Sequence, residues 1–525
     1  NDFDDDGSGD GVAVIAGANA TLVDANAIVL DASTLTGNLA VTSGGGIGDD
    51  ITQSGPLVVA KVTTLSAGAA DVVLDDSDND FGTFAVVDAE NVTAVDANAL
   101  VLGAMGSGSP IGTLLNLTTD GAITQKAPIE AATAELDAGT TSDIVLLNAA
   151  NDLATIRIDS ARNVSFRNGT DIELDNSTIT GTLAVTSAGD ISEAFGATLD
   201  VGGKTTLTVP TTNDITLDEL TNNLGEVAVT SANNVTLSNG DALTLGASTI
   251  SGNLMVTLDP AASGGLTQSG ALRVSGNTIL DTGDNDVELT NSANNFAAVV
   301  VADAENVELR DINAIQLGAA GTGGVNVDAN LEVTAGGAIS DGDALVIGGL
   351  TTLTTSVLAD ITLDAPNAFA DAVSVVSAYN VTIATQDSAL ILGGSTVSGA
   401  LTVNISGDAT NTLTQSAPIS VAGTTTLAVG SAGTEANVTL DNAANDFGTL
   451  VIVRGKNVFL VDTDDVDLGT TTIVGALAVT ANGSITDSGV LTVAGATTLE
   501  ADADGNSAGD VALDSVSSFP GAISV

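Results

Sequence analysis

Apolar and polar residues alternate along this chain in runs of a few residues, as in LAVT (39–42), LVVA (57–60) and FAVV (84–87), and each run is bounded by Gly, Asn, Asp or Ser. Alternation of this length between turn-forming residues predicts short, half-buried β-strands. The strand phrases recur with a period. A column of asparagines, Asn19, Asn91, Asn163, Asn234, Asn306, Asn380 and Asn457, recurs at intervals of about 72 residues, slightly longer towards the end. A second column holds Phe3, Phe81, Leu153, Leu224, Phe296, Phe369, Phe447 and Phe519, and a third holds Ile51, Ile123, Ile191, Leu266, Ile339, Leu413 and Ile485. So regular a period predicts a solenoid in which each unit packs on its neighbours. Cutting after the Asn column gives units 21–92, 93–164, 165–235, 236–307, 308–381, 382–458 and a partial 459–525, with 1–20 closing a preceding unit. Both ends fall inside a unit, so the expectation is one continuous solenoid cut from a longer protein.

Each unit divides into three similar phrases, so one phrase is about 24 residues long, a third of the period. The expected fold is therefore all-β: a parallel β-helix with about 24 residues per coil and three coils per repeat. An α-helical solenoid needs amphipathic runs of ten or more residues, and the Gly, Asn and β-branched content works against them. The Asn column is expected at turns, where Asn either takes a left-handed conformation or bonds neighbouring backbone. The aromatic column is expected in the core. Length varies mostly at one place in the repeat, from SAGAAD (66–71) to VGSAGTEAN (429–437) and DADGNSAGD (502–510), which marks a surface loop.

Composition fits a core of stacked aliphatics: hydrophobic residues are 44% of the 525, but aromatics only 2%, with no Trp and a single Tyr. Ten basic residues stand against 66 acidic ones, for a net charge of −56. Nucleic acid needs clustered Lys and Arg and is excluded as a partner. An anionic membrane surface is disfavoured for the same reason, and no apolar run reaches the length of a membrane span. The chain has no Cys, hence no disulfide and no thiol chemistry.

With no His, the Ser-His-Asp arrangement is absent and zinc is disfavoured. Gly-rich stretches such as SGGGIG (43–48) lack a phosphate-binding Lys. Calcium is the one ion the sequence suits. Asp502, Asp504, Asn506 and Asp510 place oxygens at alternating positions of a Gly-containing loop, and Asp4, Asp6 and Asp10 do the same near the start. Neither loop carries the bidentate Glu of an EF-hand, and plain solvated turns are the competing reading. Glycoside cleavage wants two acids on one face, with basic and aromatic platforms for the sugar. Here acids are everywhere, rings are nearly absent, and the only local group of basic residues is Arg157, Arg162 and Arg167. No catalytic and no cofactor-binding residue is assigned.

The phrases VTLDNAANDFGTL (438–450), VDANALVLGA (95–104), GNLAVTS (37–43) and ITQSGPL (51–57) resemble repeats of filamentous haemagglutinin-like and related giant bacterial β-strand-repeat surface exoproteins. The resemblance covers the whole chain but rests on coil and turn motifs, so it carries over no site residue. It implies a right-handed parallel β-helix, export to the cell surface or beyond, and a role in adhesion or extracellular matrix. The expected function is a non-enzymatic, stiff extracellular fibre, stalk or matrix filament that self-associates into filaments or bundles. The alternatives are an adhesin whose variable loops bind cell-surface glycans or cations, and a surface-layer component. A β-helical polysaccharide-degrading enzyme is the least favoured.

Overall fold

A computed structural model describes residues 11–505 and 509–525. Among them there is no helix, and none that could cross a membrane. Among the described residues the strands pair in parallel, apart from two small antiparallel contacts, Gly430↔Glu435 and Ala319↔Gly323. Contacts divide the chain into two compact units, Asn1–Gly252 with Thr257–Asp259, and Asn253–Val256 with Pro260–Val525. Each unit is a parallel β-solenoid.

In the first unit one wall is built by Ile28–Leu30, Ile51–Gln53, Val72–Leu74 and Asn91–Asp96. Their partners run Ile28↔Ile51, Ile51↔Val72 and Val72↔Val92. The facing wall is built by Leu39–Thr42, the second half of Leu57–Ser66, the second half of Asp80–Asp88, and Leu100–Met105. There the partners run Leu39↔Thr63, Thr63↔Phe84 and Phe84↔Leu102. Along each wall strand the buried residues alternate with outward ones. Leu, Ile, Val and Ala fill the space between the walls, and Phe81 packs on Phe84 with ring centroids 5.2 Å apart.

The parallel solenoid and its tandem repeat are as expected, but the coil is shorter. In the first unit the partners climb from Ile51 through Val72, Val92, Leu115, Ala134, Ile156 and Leu174 to Glu193. Seven steps carry the chain from position 51 to position 193, so a coil takes about 20 residues, fewer than the phrase length. In the second unit seven steps climb from Leu266 through Val287, Val307, Leu331, Thr351, Val373 and Leu392 to Gln415. There a coil takes about 21 residues. Each climb crosses two repeats, so a repeat is three and a half coils and not three. The reason lies in the segment after each Phe strand. NVTAV (91–95), which phrase counting leaves without a coil of its own, forms a further wall strand. Besides a short edge ladder such as Ser33↔Leu57 and Val58↔Asp80, seven strands per repeat fall on the two continuous walls, an odd number. Leu100–Met105, the counterpart of Ile28–Leu30 one period on, therefore stacks on the opposite wall.

Candidate functional site: polar ladders between the coils

The Asn column stands at the edges, at or just before the start of a wall strand. Asn91 Nδ2 donates to Asp71 Oδ1 at 2.9 Å, Asn163 Nδ2 to Asp143 Oδ1 at 2.9 Å, and Asn234 Nδ2 to Asp214 Oδ1 at 3.1 Å. Asn306, Asn380 and Asn457 donate in the same way to Asp286, Asp360 and Asn437. On the other side the Asn38 N–H donates to Asn19 Oδ1 at 2.8 Å, the Thr182 N–H to Asn163 Oδ1 at 2.9 Å and the Ala400 N–H to Asn380 Oδ1 at 3.0 Å. Each side chain thus ties its own coil to a neighbour. Of the two expected roles the column takes the backbone-bonding one. Among described non-glycine residues only Asp387 and Asp502 have positive φ. The close approach also explains the glycine of the GNLAVTS-type phrases. A Cβ on Gly181, Gly252, Gly399 or Gly475 would lie 2.3–2.4 Å from the Asn side-chain oxygen of the coil beneath.

Phe81, Phe296, Phe369 and Phe447 are buried, as are Leu153 and Leu224, while Phe519 is half-buried. Phe3 lies outside the described residues.

A second Asn column, which the sequence analysis does not single out, lies two residues before the aromatic column. Asn79, Asn151, Asn222, Asn294, Asn367 and Asn445 are at most 1% exposed. Asn79 bonds three successive coils. Its Oδ1 accepts from the Leu57 N–H at 2.8 Å and from Gln53 Nε2 at 2.9 Å. Its Nδ2 donates to Gln53 Oε1 at 3.0 Å, to the Leu74 carbonyl at 3.1 Å and to the Val95 carbonyl at 3.3 Å. The N–H accepted by Asn79 has counterparts at Ile129, Leu199, Leu272, Leu345 and Ile419 for the other five. The coil above supplies a third polar column. Asp96, Asn168, Asn239, Asp311 and Asp462 accept the N–H of Phe81, Leu153, Leu224, Phe296 and Phe447 at 2.7–3.1 Å. Burial raises the carboxyls of Asp96, Asp311 and Asp462 above the usual range, against the lowering effect of the backbone N–H groups they accept.

Gln53, Gln125, Gln268 and Gln415 serve the buried Asn of their repeats, with Nε2 to Asn Oδ1 at 2.8–2.9 Å. In two repeats an acid takes their place. Asn222 Nδ2 donates to Glu193 Oε2 at 2.9 Å, and Asn367 Nδ2 to Asp341 Oδ2 at 2.7 Å. Glu193 Oε1 is buried and finds no donor. Burial, reinforced by Glu219 and Asp218, pushes the Glu193 carboxyl up to about 7, although the Asn222 amide and the Glu219 N–H pull the other way. Burial likewise raises Asp341.

Of the calcium candidates, Asp4, Asp6, Asp10 and Asn506 lie outside the described residues. Asp502, Asp504 and Asp510 are exposed or half-buried, and Asp502 and Gly505 have φ of 54° and 70°. Among the described residues no group of three or more acidic side chains is placed to hold a metal ion. Of the three clustered arginines, Arg162 forms a two-pronged pair with Asp143 at 2.8 and 2.9 Å, which holds that carboxyl down at about 2. Arg157 meets Asp159 at 2.7 Å. Glu288, Glu308 and Glu332 stack in register on the outer face, and burial together with the two neighbouring carboxylates raises Glu308.

No curated protein and no solved structure matches the chain. A family profile, described as repeats of unknown function (DUF5649), matches seven times in succession, over residues 17–88, 89–158, 161–231, 232–303, 304–376, 378–454 and 455–525. With nearly the whole length covered by tandem copies whose period is that of the polar ladders, this chain belongs to the DUF5649 repeat family.

Proposed function

We propose that this chain is a non-enzymatic structural element, a stretch of an extracellular fibre, stalk or matrix filament of the cell surface. The observation that supports the reading most is that the same hydrogen-bonded columns recur in six successive repeats. The buried Asn at 79, 151, 222, 294, 367 and 445 accepts an equivalent backbone N–H in every case. Side chains spent on tying coil to coil give stiffness along the stacking direction, and identical junctions let length grow by whole repeats. The resemblance to β-strand-repeat exoproteins points the same way. Self-association into filaments or bundles belongs to this proposal. With a net charge of −56, sideways packing needs screening by salt.

The test is deletion of residues 93–164, one whole repeat, followed by atomic-force or electron microscopy of filaments from the native source. Three and a half coils at about 4.8 Å each predict a length shorter by roughly 17 Å, with assembly and cell attachment retained. Loss of attachment on deletion of any single repeat defeats the spacer reading and favours an adhesin.

A further inference from the structure

One outward position of the repeat is occupied by Asp88, Ser160, Ser231, Asp303, Ser377 and Arg454 in turn. In four of the five earlier repeats, at Asp88, Ser160, Ser231 and Ser377, this side chain engages the coil beneath. Ser66 Oγ donates to Asp88 Oδ1 at 2.6 Å, Ser377 Oγ donates to the Thr355 carbonyl at 2.6 Å, and Ser231 Oγ donates to the Val209 carbonyl. Arg454 breaks the pattern. It falls in the repeat with the 429–437 insertion, whose ends fold into the Gly430↔Glu435 hairpin. Beneath Arg454 the outward column descends through Ala428 and Asn404 to Ala384. The two alanines leave a trough of about 260 Å³, also lined by Asp364 and Gln386.

The Thr385 and Ser406 hydroxyls in the lining bond neighbouring carbonyls, but four other polar groups around this trough are not used by the fold. Arg454 Nε is buried with no acceptor. The Asp364 carboxylate and the Gln386 and Asn404 amides line the same space with no hydrogen bond to another described residue. Glu435 on the hairpin feels the Arg454 charge but does not pair with it. A buried donor without an acceptor calls for one from outside. An anionic ligand would face Asp364, and a cationic one would face Arg454. A neutral molecule rich in hydroxyls suits both, because each hydroxyl both donates and accepts. The volume is below the ~300 Å³ typical of sites for drug-sized ligands, which suits a single sugar ring.

We propose that this trough is a binding site for one neutral, hydroxyl-rich ring, either a free monosaccharide or the terminal unit of a glycan. The proposal does not depend on whether the chain is a spacer. The probes are glucose, galactose, mannose and N-acetylglucosamine, each also as its methyl glycoside, titrated to about 10 mM against the whole chain by saturation-transfer NMR. The expected result is a dissociation constant in the millimolar range for at least one of them, since no aromatic ring lines the trough to add stacking. Retained binding of the methyl glycoside assigns the site to a glycan end, and its loss assigns it to a free sugar. Arg454→Ser, which installs the residue natural to three other repeats, is expected to weaken binding at least tenfold with the melting temperature unchanged. Asn404→Ala is expected to weaken it by less. The proposal is overturned if none of the probes binds, or if binding survives Arg454→Ser.

Discussion

Glu193 occupies a position where four other repeats carry Gln, and replacing it by Gln should stabilise its coils in a pH-dependent way. Folding raises this carboxyl from 4.5 to about 7, chiefly through burial. A group raised in the folded state binds its proton more tightly there. Its stabilising contribution is complete below about pH 4.5 and is lost as pH rises through about 7. At 1.36 kcal/mol per unit the shift corresponds to roughly 3 kcal/mol. The residue keeps 9% exposure at the edge of the ladder, and screening reduces this to about 1–2 kcal/mol. Glu193→Gln removes the ionisation, and its Nε2 can donate to Asn222 Oδ1 as Gln53 donates to Asn79. The gain should be about 1–2 kcal/mol at pH 8 and near zero at pH 4.5. A repeat protein does not unfold in two states, so the measurement is local: amide hydrogen exchange in peptides covering residues 191–225. Variant and wild type are compared at the same pH, which cancels the intrinsic exchange rate. Protection should rise roughly 5- to 30-fold at pH 8 and be equal at pH 4.5. An unchanged rate at pH 8 would refute the reasoning, and so would an equal gain at both pH values.

Three further outcomes are expected. Asn151→Ala strips acceptors and donors from three coils and leaves the Ile129 N–H without a partner, so local exchange should quicken by the equivalent of about 1–3 kcal/mol or more; Asn163→Ala, at the exposed edge, should cost less in the same assay. Thr205 and Thr278 are fully buried with hydroxyls that bond nothing, and Ala134 fills the same position in its own repeat. Thr278→Val should therefore be neutral or stabilising by about 1 kcal/mol, read as slower exchange around residues 272–301. Glu308 sits in register between Glu288 and Glu332, so Glu308→Gln should stabilise by about 0.2–1 kcal/mol at pH 7, with the gain shrinking in high salt.

How much of this was legible in the sequence can be followed residue by residue. The alternation in LAVT and FAVV was sufficient for the strands, because side chains of a strand point to opposite faces at every step. The Asn column was visible as a period, and its bonds to neighbouring backbone were one of two roles expected of it. The buried Asn79 column was equally regular but was hidden behind Phe81, since nothing local tells a solvated Asn-Asp turn from a buried amide. Glu193 stands out locally, because ISE (191–193) ends in an acid where four counterparts, ITQ or LTQ, end in Gln. Its depth, and so its proton affinity, depends on the coils stacked above and below it.

The sequence by itself determined that the chain is a tandem β-solenoid, because period and alternation are local properties that each repeat states again. Only the tertiary structure decided how many strands close a coil. That number depends on which strand finds the hydrogen-bonding edge above it, a contact made one full coil further along the chain. The same closure decided that seven wall strands fill each repeat. Within each unit, an odd number shared between two continuous walls puts successive repeats on opposite walls, and no residue in the chain records that.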